Sequence, residues 1–466
     1  FRSDPRGYGA GSDQIFERPP VRRAAPPVYA RAYAAPPPPP PAPPAAPVAA
    51  VAAVRKASSR YRSLDGVRGL AAFTVVCCHA LIALPTYLQG YVDPTVIEKG
   101  TWMWWATFSP IHLAWAGTEA VYVFFVLSGF VLTLPFIKND AAKWAGYYPK
   151  RLIRLYLPVW GAFALTAFWI YVFPRTFPAH GSVWLHTQVA DFSSAAVKSD
   201  LLLTPGAHLN NGVLWTLTFE IVFSLLLPLY LIAGKFLPKL NLLKFAVLLG
   251  MIVAYADTGT TFQFHLPMFG LGVLMALERK NLAALGQKIW AGPVRWPIWI
   301  MLTLISLVAL NASWTLRGFV TDPQQLATLG PVSRGVSLFG ACLLLFCAVE
   351  GPLRLLLEGR TVQWLGSRSF SLYLVHNPII LAAAVFLGSG LDPMMSLAVS
   401  VPASLLVAEA FYQLVERPSQ KMSRAADQAI RSLPLWRRPA QPQYDPAPAM
   451  QFLTEPLPEY AYSRPL

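Results

Sequence analysis

The stretch Arg60-Tyr-Arg-Ser-Leu-Asp65-Gly-Val-Arg68-Gly-Leu-Ala-Ala-Phe-Thr-Val-Val-Cys-Cys-His79-Ala-Leu-Ile-Ala-Leu84 decides the fold. From Arg68 it stays apolar for about 20 residues, the length a helix needs to cross a bilayer. It also holds Asp65 and Arg68 at its mouth and His79 inside, where an ionisable side chain is expensive and therefore marks a candidate functional site. Arg68 and His79 lie eleven residues apart. At about 100° and 1.5 Å per residue they share one face of a helix, separated by about 16 Å along its axis.

Nine more apolar runs follow, so the expected spans are 68–88, 119–137, 154–174, 213–233, 243–257, 263–278, 296–313, 335–350, 369–388 and 393–415. The runs are continuously apolar, without the period-two alternation of a barrel, so helices are expected. The composition agrees: 55% of residues are hydrophobic and only 13% charged, with a mean hydropathy of +0.44. A soluble globular enzyme is excluded, and so is a disulfide scaffold, because all four cysteines (Cys77, Cys78, Cys342, Cys347) sit in apolar runs. The net charge of +15 lies in tails and inter-span loops. It reads as membrane topology, with no nucleic-acid partner.

Orientation follows from the distribution of Lys and Arg. With the N-terminus inside, the outer loops hold only Lys99, Arg175, Lys198, Arg317 and Arg334, five of the 38 basic residues. The sequence thus predicts an all-α, polytopic membrane protein of about ten transmembrane helices with both termini cytoplasmic. Residues 1–58 contain fourteen of the 43 prolines and are expected to be a disordered Pro/Ala-rich tail. The spans occupy 59–420, and 421–466 reads as a basic, Pro-rich cytoplasmic tail.

Further polar groups stand at the spans. Arg151 and Arg154, at i and i+3 on the inner edge of the third, present neighbouring guanidinium forks that suit phosphate, although by themselves they read first as a positive-inside anchor. Glu220 lies about two turns into the fourth, where a carboxylate must be paired, protonated or working in proton transfer. Asn211 and Trp215 precede it, and His265 and His376 lie near other span ends. Each of these alone reads as structural. The outer loops 89–118 and 175–212 are rich in Trp, His and Asn, as a sugar-facing surface or an aromatic belt would be.

Taken in order, Leu64-Asp65-Gly66, Arg68 to Ala72 with His79, Phe124 to Phe130, Arg151 with Arg154, Trp215-Thr-Leu with Glu220, Ser369 to Pro378 and Glu416-Arg-Pro418 resemble the integral-membrane acyltransferase family 3. The resemblance implies an enzyme of the bacterial cytoplasmic (inner) membrane. It would move an acyl group, usually acetyl, from cytoplasmic acyl-CoA to a hydroxyl of an extracytoplasmic glycan or glycolipid, with exopolysaccharide or lipopolysaccharide preferred. Arg68, Arg151 and Arg154 become candidate donor-binding residues. His79 becomes the general base or acyl carrier, Glu220 a group that orients or deprotonates the imidazole or the sugar hydroxyl, and Asp65 a partner that fixes Arg68. Trp215, Asn211 and His376 are the candidate acceptor contacts, and no metal is called for. Many members carry an extracytoplasmic SGNH-type domain after the last span. About 50 Pro- and Arg-rich residues follow Glu416 here, so the expectation is a stand-alone enzyme or one served by a separate extracytoplasmic transferase partner. A polytopic transporter or glycan flippase would share the spans and the buried polar groups, but it should show internal repeats, and none is evident.

Overall fold

The computed structural model describes residues 61–137, 141–177, 181–206, 208–258, 261–388 and 392–433. The Pro/Ala-rich segment 1–58, expected to be disordered, lies outside them, as do residues 434–466. Among the described residues there are helices and turns and no strand. In chain order the helices are α1 (Arg62–Ile82), α2 (Pro85–Val92), α3 (Trp102–Phe108), α4 (Gly117–Thr133), α5 (Ala141–Val172), α6 (Val183–Thr187), α7 (Ser194–Leu202), α8 (Trp215–Lys235) and α9 (Asn241–Tyr255). They continue with α10 (Thr261–Leu277), α11 (Arg279–Ala291), α12 (Arg295–Leu310), α13 (Ala312–Phe319), α14 (Pro323–Glu350), α15 (Leu353–Leu357), α16 (Arg360–Leu387), α17 (Pro393–Phe411) and α18 (Arg417–Ser432).

Each of the ten expected apolar stretches carries a helix. Eight helical stretches, on α1, α4, α5, α8, α9, α14, α16 and α17 running into α18, are long and apolar enough to cross a membrane. A ninth is the pair α12 and α13, bent by 63°. The remaining stretch, α10, has 17 residues, about 26 Å of helix and so slightly less than the hydrocarbon thickness. The bundle turns apolar side chains outward as well as inward, as a bilayer solvent requires: α8 exposes Leu225, Leu229 and Ile232 at i, i+4 and i+7 while burying Phe223, Leu227 and Leu231.

Small residues set the closest approaches, the usual device where lipid offers no hydrophobic drive between helices. Gly129 of α4 packs directly on the Phe269 carbonyl of α10, and Gly272 of α10 on the Val126 carbonyl of α4. Where α1 meets α16, a Cβ on Gly69 would stand 2.5 Å from the Gly366 backbone nitrogen, and one on Gly366 would strike the Asp65 carbonyl. Only glycine permits that contact, and it fixes the register of the two helices that carry the site.

Candidate active site

His79 lies ten residues beyond Gly69 on α1, and His376 lies ten residues beyond Gly366 on α16. Equal advances from the glycine contact, about 15 Å on each helix, bring the two imidazoles together. His376 Nε2 is 3.1 Å from His79 Nδ1, with ring centroids 5.0 Å apart at 28°. His376 is fully buried, whereas His79 is only partly covered, with the indole of Trp184 at 5.2 Å.

The hydrogen-bond network assigns the tautomers of a neutral pair. The Leu372 carbonyl, 3.1 Å from His376 Nδ1, can only accept, so Nδ1 of His376 carries the proton. Its Nε2 is then an acceptor, and His79 Nδ1–H must donate to it. That leaves the lone pair on His79 Nε2, the nitrogen with no hydrogen-bond partner among the described residues.

A proline builds the surroundings. Pro378 has no N–H, so the Leu374 carbonyl one turn earlier loses its helical partner. Asn211 Nδ2 donates to that carbonyl at 3.0 Å and docks the segment before α8 onto α16. Nearby, the Tyr373 hydroxyl contacts Thr216 Oγ1 at 2.8 Å and the Val213 carbonyl at 3.2 Å, and its ring lies 5.6 Å from that of His376. The same logic recurs in α8. Pro228 frees the Ser224 carbonyl, and the Tyr147 hydroxyl of α5 donates to it at 3.3 Å.

Trp184 belongs to the short helix α6 in a loop held by buried polar groups. Arg175 donates to the carbonyls of Gln188 (3.1 Å), Leu209 (3.0 Å) and Asn210. Burial pushes its guanidinium down to about 10, while the Asp200 charge acts upward. Asp200 accepts from Asn210 Nδ2 at 3.0 Å and pairs with His208 Nδ1 at 3.1 Å. His208 Nε2 reaches Thr218 Oγ1 of α8 at 3.0 Å.

The arginines form a second layer. Arg68 and Asp65, both half-buried, occupy the first turns of α1, with Arg68 eleven residues before His79. Arg151 bonds Glu220 through Nη2 and Ser224 Oγ through Nε at 3.1 Å, an arrangement that leaves its Nη1 available. Arg154, one turn on, is exposed, and its charge acts on the buried Glu416, which accepts from the Ser371 backbone N–H at 3.1 Å.

The structure therefore brings His79 together with His376, Asn211 with the α16 backbone two residues before His376, and Glu220 with Arg151. It does not set Glu220 at His79; the group bonded to that imidazole is His376. Trp215 also lies elsewhere, its ring against His265 (5.3 Å), Phe219 and Phe125. Trp184 was not anticipated, for only the folding of its loop carries it to His79.

Fold and site together define a polytopic helical membrane protein whose centre is an imidazole pair in the bundle, with arginines at the start of the helix that carries it. The family model described as an acyltransferase domain, acyltransferase family 3, matches residues 61–412, and the chain belongs to that family. Its relatives include YrhL of Bacillus subtilis (strain 168), named as a candidate peptidoglycan O-acetyltransferase, 25% identical over 66% of this chain and 51% of that protein. The acyltransferase MdmB of Streptomyces mycarofaciens is 26% identical over 69% of this chain and 79% of its own length. Nodulation protein 10 of Rhizobium leguminosarum bv. viciae is 23% identical over 50% and 71%. The chain thus spans about half the length of the Bacillus relative. No solved structure matches. Family membership sets the chain among acyltransferases and apart from the transporter alternative.

Proposed function

We propose that the protein transfers an acyl group, acetyl in the first instance, from cytoplasmic acyl-CoA to a hydroxyl of an extracytoplasmic glycan or glycolipid, working in the bacterial cytoplasmic membrane with both termini inside. The observation that carries this reading is the 3.1 Å bond between His376 Nε2 and His79 Nδ1, because it leaves a bare lone pair on a partly accessible imidazole inside an apolar bundle. Such a nitrogen, uncharged and with its lone pair unbonded, can take a proton as a general base.

In this scheme Arg68, Arg151 and Arg154 hold the phosphates of the donor. Arg151 contributes Nη1 while Glu220 and Ser224 fix its orientation. The acyl thioester reaches up α1, about 16 Å from Arg68 to His79. His79 Nε2 takes the proton of the acceptor hydroxyl as that oxygen attacks the thioester carbonyl. The C–O bond forms, the C–S bond breaks, and the imidazolium returns the proton to the departing sulfur to give free CoA thiol. The relatives named as acyltransferases support the reaction class, and the excess of Lys and Arg in the inner loops supports the orientation.

The test is sidedness. Sealed membrane vesicles carrying the full chain receive acetyl-CoA on one face only. Inverted vesicles should release CoA at least tenfold faster than right-side-out vesicles, and Arg68→Ala should raise KM for acetyl-CoA. Equal release from both orientations, or release only from right-side-out vesicles, would remove the proposed donor path.

A further inference from the structure

Beside the histidine pair stand amide groups that the transfer step does not use. Asn377, the residue after His376, is 1% exposed, and neither its Nδ2 nor its Oδ1 has a hydrogen-bond partner among the described residues. Asn211 is fully buried, and although its Nδ2 is bonded to Leu374, its Oδ1 has no partner either. Buried polar groups are nearly always paired, because an unpaired one loses its hydration and gains nothing. Three orphaned atoms on two neighbouring carboxamides at the centre of a bundle need an explanation.

Asn377 and a third amide, Gln188, meet beside Gly212, the residue after Asn211. A Cβ placed on Gly212 would lie 3.2 Å from Gln188 Oε1 and 3.8 Å from Asn377 Nδ2, so the two amides face a spot where residue 212 supplies no side chain. Gln188 stands four residues after Trp184, on the same face of α6 and its C-cap, and Trp184 is the ring against His79. The loop held by Arg175 therefore lays an indole over the catalytic imidazole and an amide beside Asn377.

We propose that Asn377, Asn211 and Gln188, with Trp184 as a ring platform, form the subsite that binds hydroxyl groups of the acceptor sugar next to His79. The proposal rests on the acyl-transfer reading above and adds the residues that recognise the acceptor. Carboxamides offer donor and acceptor together, which matches a hydroxyl that is itself both. An aromatic face beside neutral hydrogen-bonding groups suits the apolar side of a sugar ring. The chemistry fits a neutral polyhydroxyl segment, in contrast to the guanidinium groups assigned to the donor phosphates.

The experiment uses the full chain in nanodiscs and, as probe, the water-soluble glycan released by mild acid from the envelope of cells carrying His79→Ala, which serves as the unmodified acceptor pool. Asn377→Leu and Gln188→Ala are each expected to raise the KM for this glycan about tenfold or more and to leave the KM for acetyl-CoA within twofold. Asn377→Leu, which replaces an unpaired amide by an apolar group of similar volume, should at the same time keep or raise Tm. Wild-type protein without donor should show a glycan-dependent rise in Tm that both variants lack. Glycan KM unchanged in both variants, with wild-type turnover present, would overturn the subsite and leave the reaction standing; the amides would then be met by ordered water. Absence of CoA-dependent transfer in wild type would remove the reaction, and the subsite would fall with it only if the glycan-dependent rise in Tm were also missing.

Discussion

Gly69→Ala tests whether the register of α1 and α16 positions the histidine pair. The added methyl would stand 2.5 Å from the Gly366 nitrogen and 2.8 Å from its Cα. Both are backbone atoms that cannot rotate aside. Moving from 2.5 Å to the 3.4 Å at which ordinary contact begins requires the helices to part by about 0.9 Å. Transmitted along two stiff helices, even half of that opens the 3.1 Å His79–His376 bond beyond hydrogen-bonding range. A misplacement of about 1 Å at a reacting group can cost on the order of 10²-fold in rate, and overpacking of this kind costs about 1–3 kcal/mol of stability. The assay is acyl transfer in membrane vesicles normalised to inserted protein, with thermal unfolding in detergent alongside. Gly250→Ala in α9 is the control, since nothing lies within 4 Å of a Cβ there. Transfer by Gly69→Ala within twofold of wild type, with Tm unchanged, would show that the glycine contact does not set the site.

Other expectations concern single contacts. His376→Leu should lower kcat on the order of 10²-fold with little change in the KM for acetyl-CoA, and His376→Gln, whose amide oxygen can accept from His79 Nδ1–H, should recover part of it; equal activity of the two variants would contradict the tautomer assignment. A double-mutant cycle of Arg151→Ala and Glu220→Gln, read in thermal unfolding, should give a coupling of about 1–3 kcal/mol, and zero coupling would mean the pair in α5 and α8 is not formed. His112, enclosed by Trp314, Trp115 and Tyr91 between α3 and α4, has its pKa pushed down to about 3 by burial, with the Arg317 charge acting in the same direction. The unfolded chain protonates near pH 6.5 and the folded one near 3, so stability should fall on acidification through that window, by up to about 1.4 kcal/mol per pH unit. His112→Phe should flatten the Tm–pH curve between pH 6 and 4, and an unchanged slope would assign the acid sensitivity to other groups.

The fold was legible because hydropathy reports the bilayer directly. What it missed were the wet ends: α14 begins at Pro323 and α16 at Arg360, where the apolar runs start at about 335 and 369. Polar turns such as Arg360-Thr-Val-Gln363 continue a helix without leaving a hydropathy signal. The site was legible along α1, where one helix fixes the alignment of Arg68 and His79. It was less legible across helices. Nothing in the spacing of residues 79 and 376 says that they touch; that follows from Gly69 meeting Gly366 with equal advances to each histidine, a match that can be seen only once the two helices are known to pack. Glu220, read as orienting or deprotonating the imidazole or the sugar hydroxyl, is bonded to Arg151, because a helix position defines a face and not the neighbour opposite it. Trp184, Gln188 and Asn377 were silent for a related reason. Two of them sit on a short helix and its C-cap within a long inter-span loop, and the third is an ordinary amide until its missing partners are noticed.

The most direct test of the central claim is the fate of labelled acetyl-CoA supplied to inverted vesicles carrying wild-type protein or His79→Ala, with label scored in the CoA, protein and glycan fractions. The account predicts label in the wild-type glycan fraction, none held on the protein, and loss of glycan labelling in the mutant despite normal insertion. Glycan labelling by His79→Ala at near wild-type rate would contradict it.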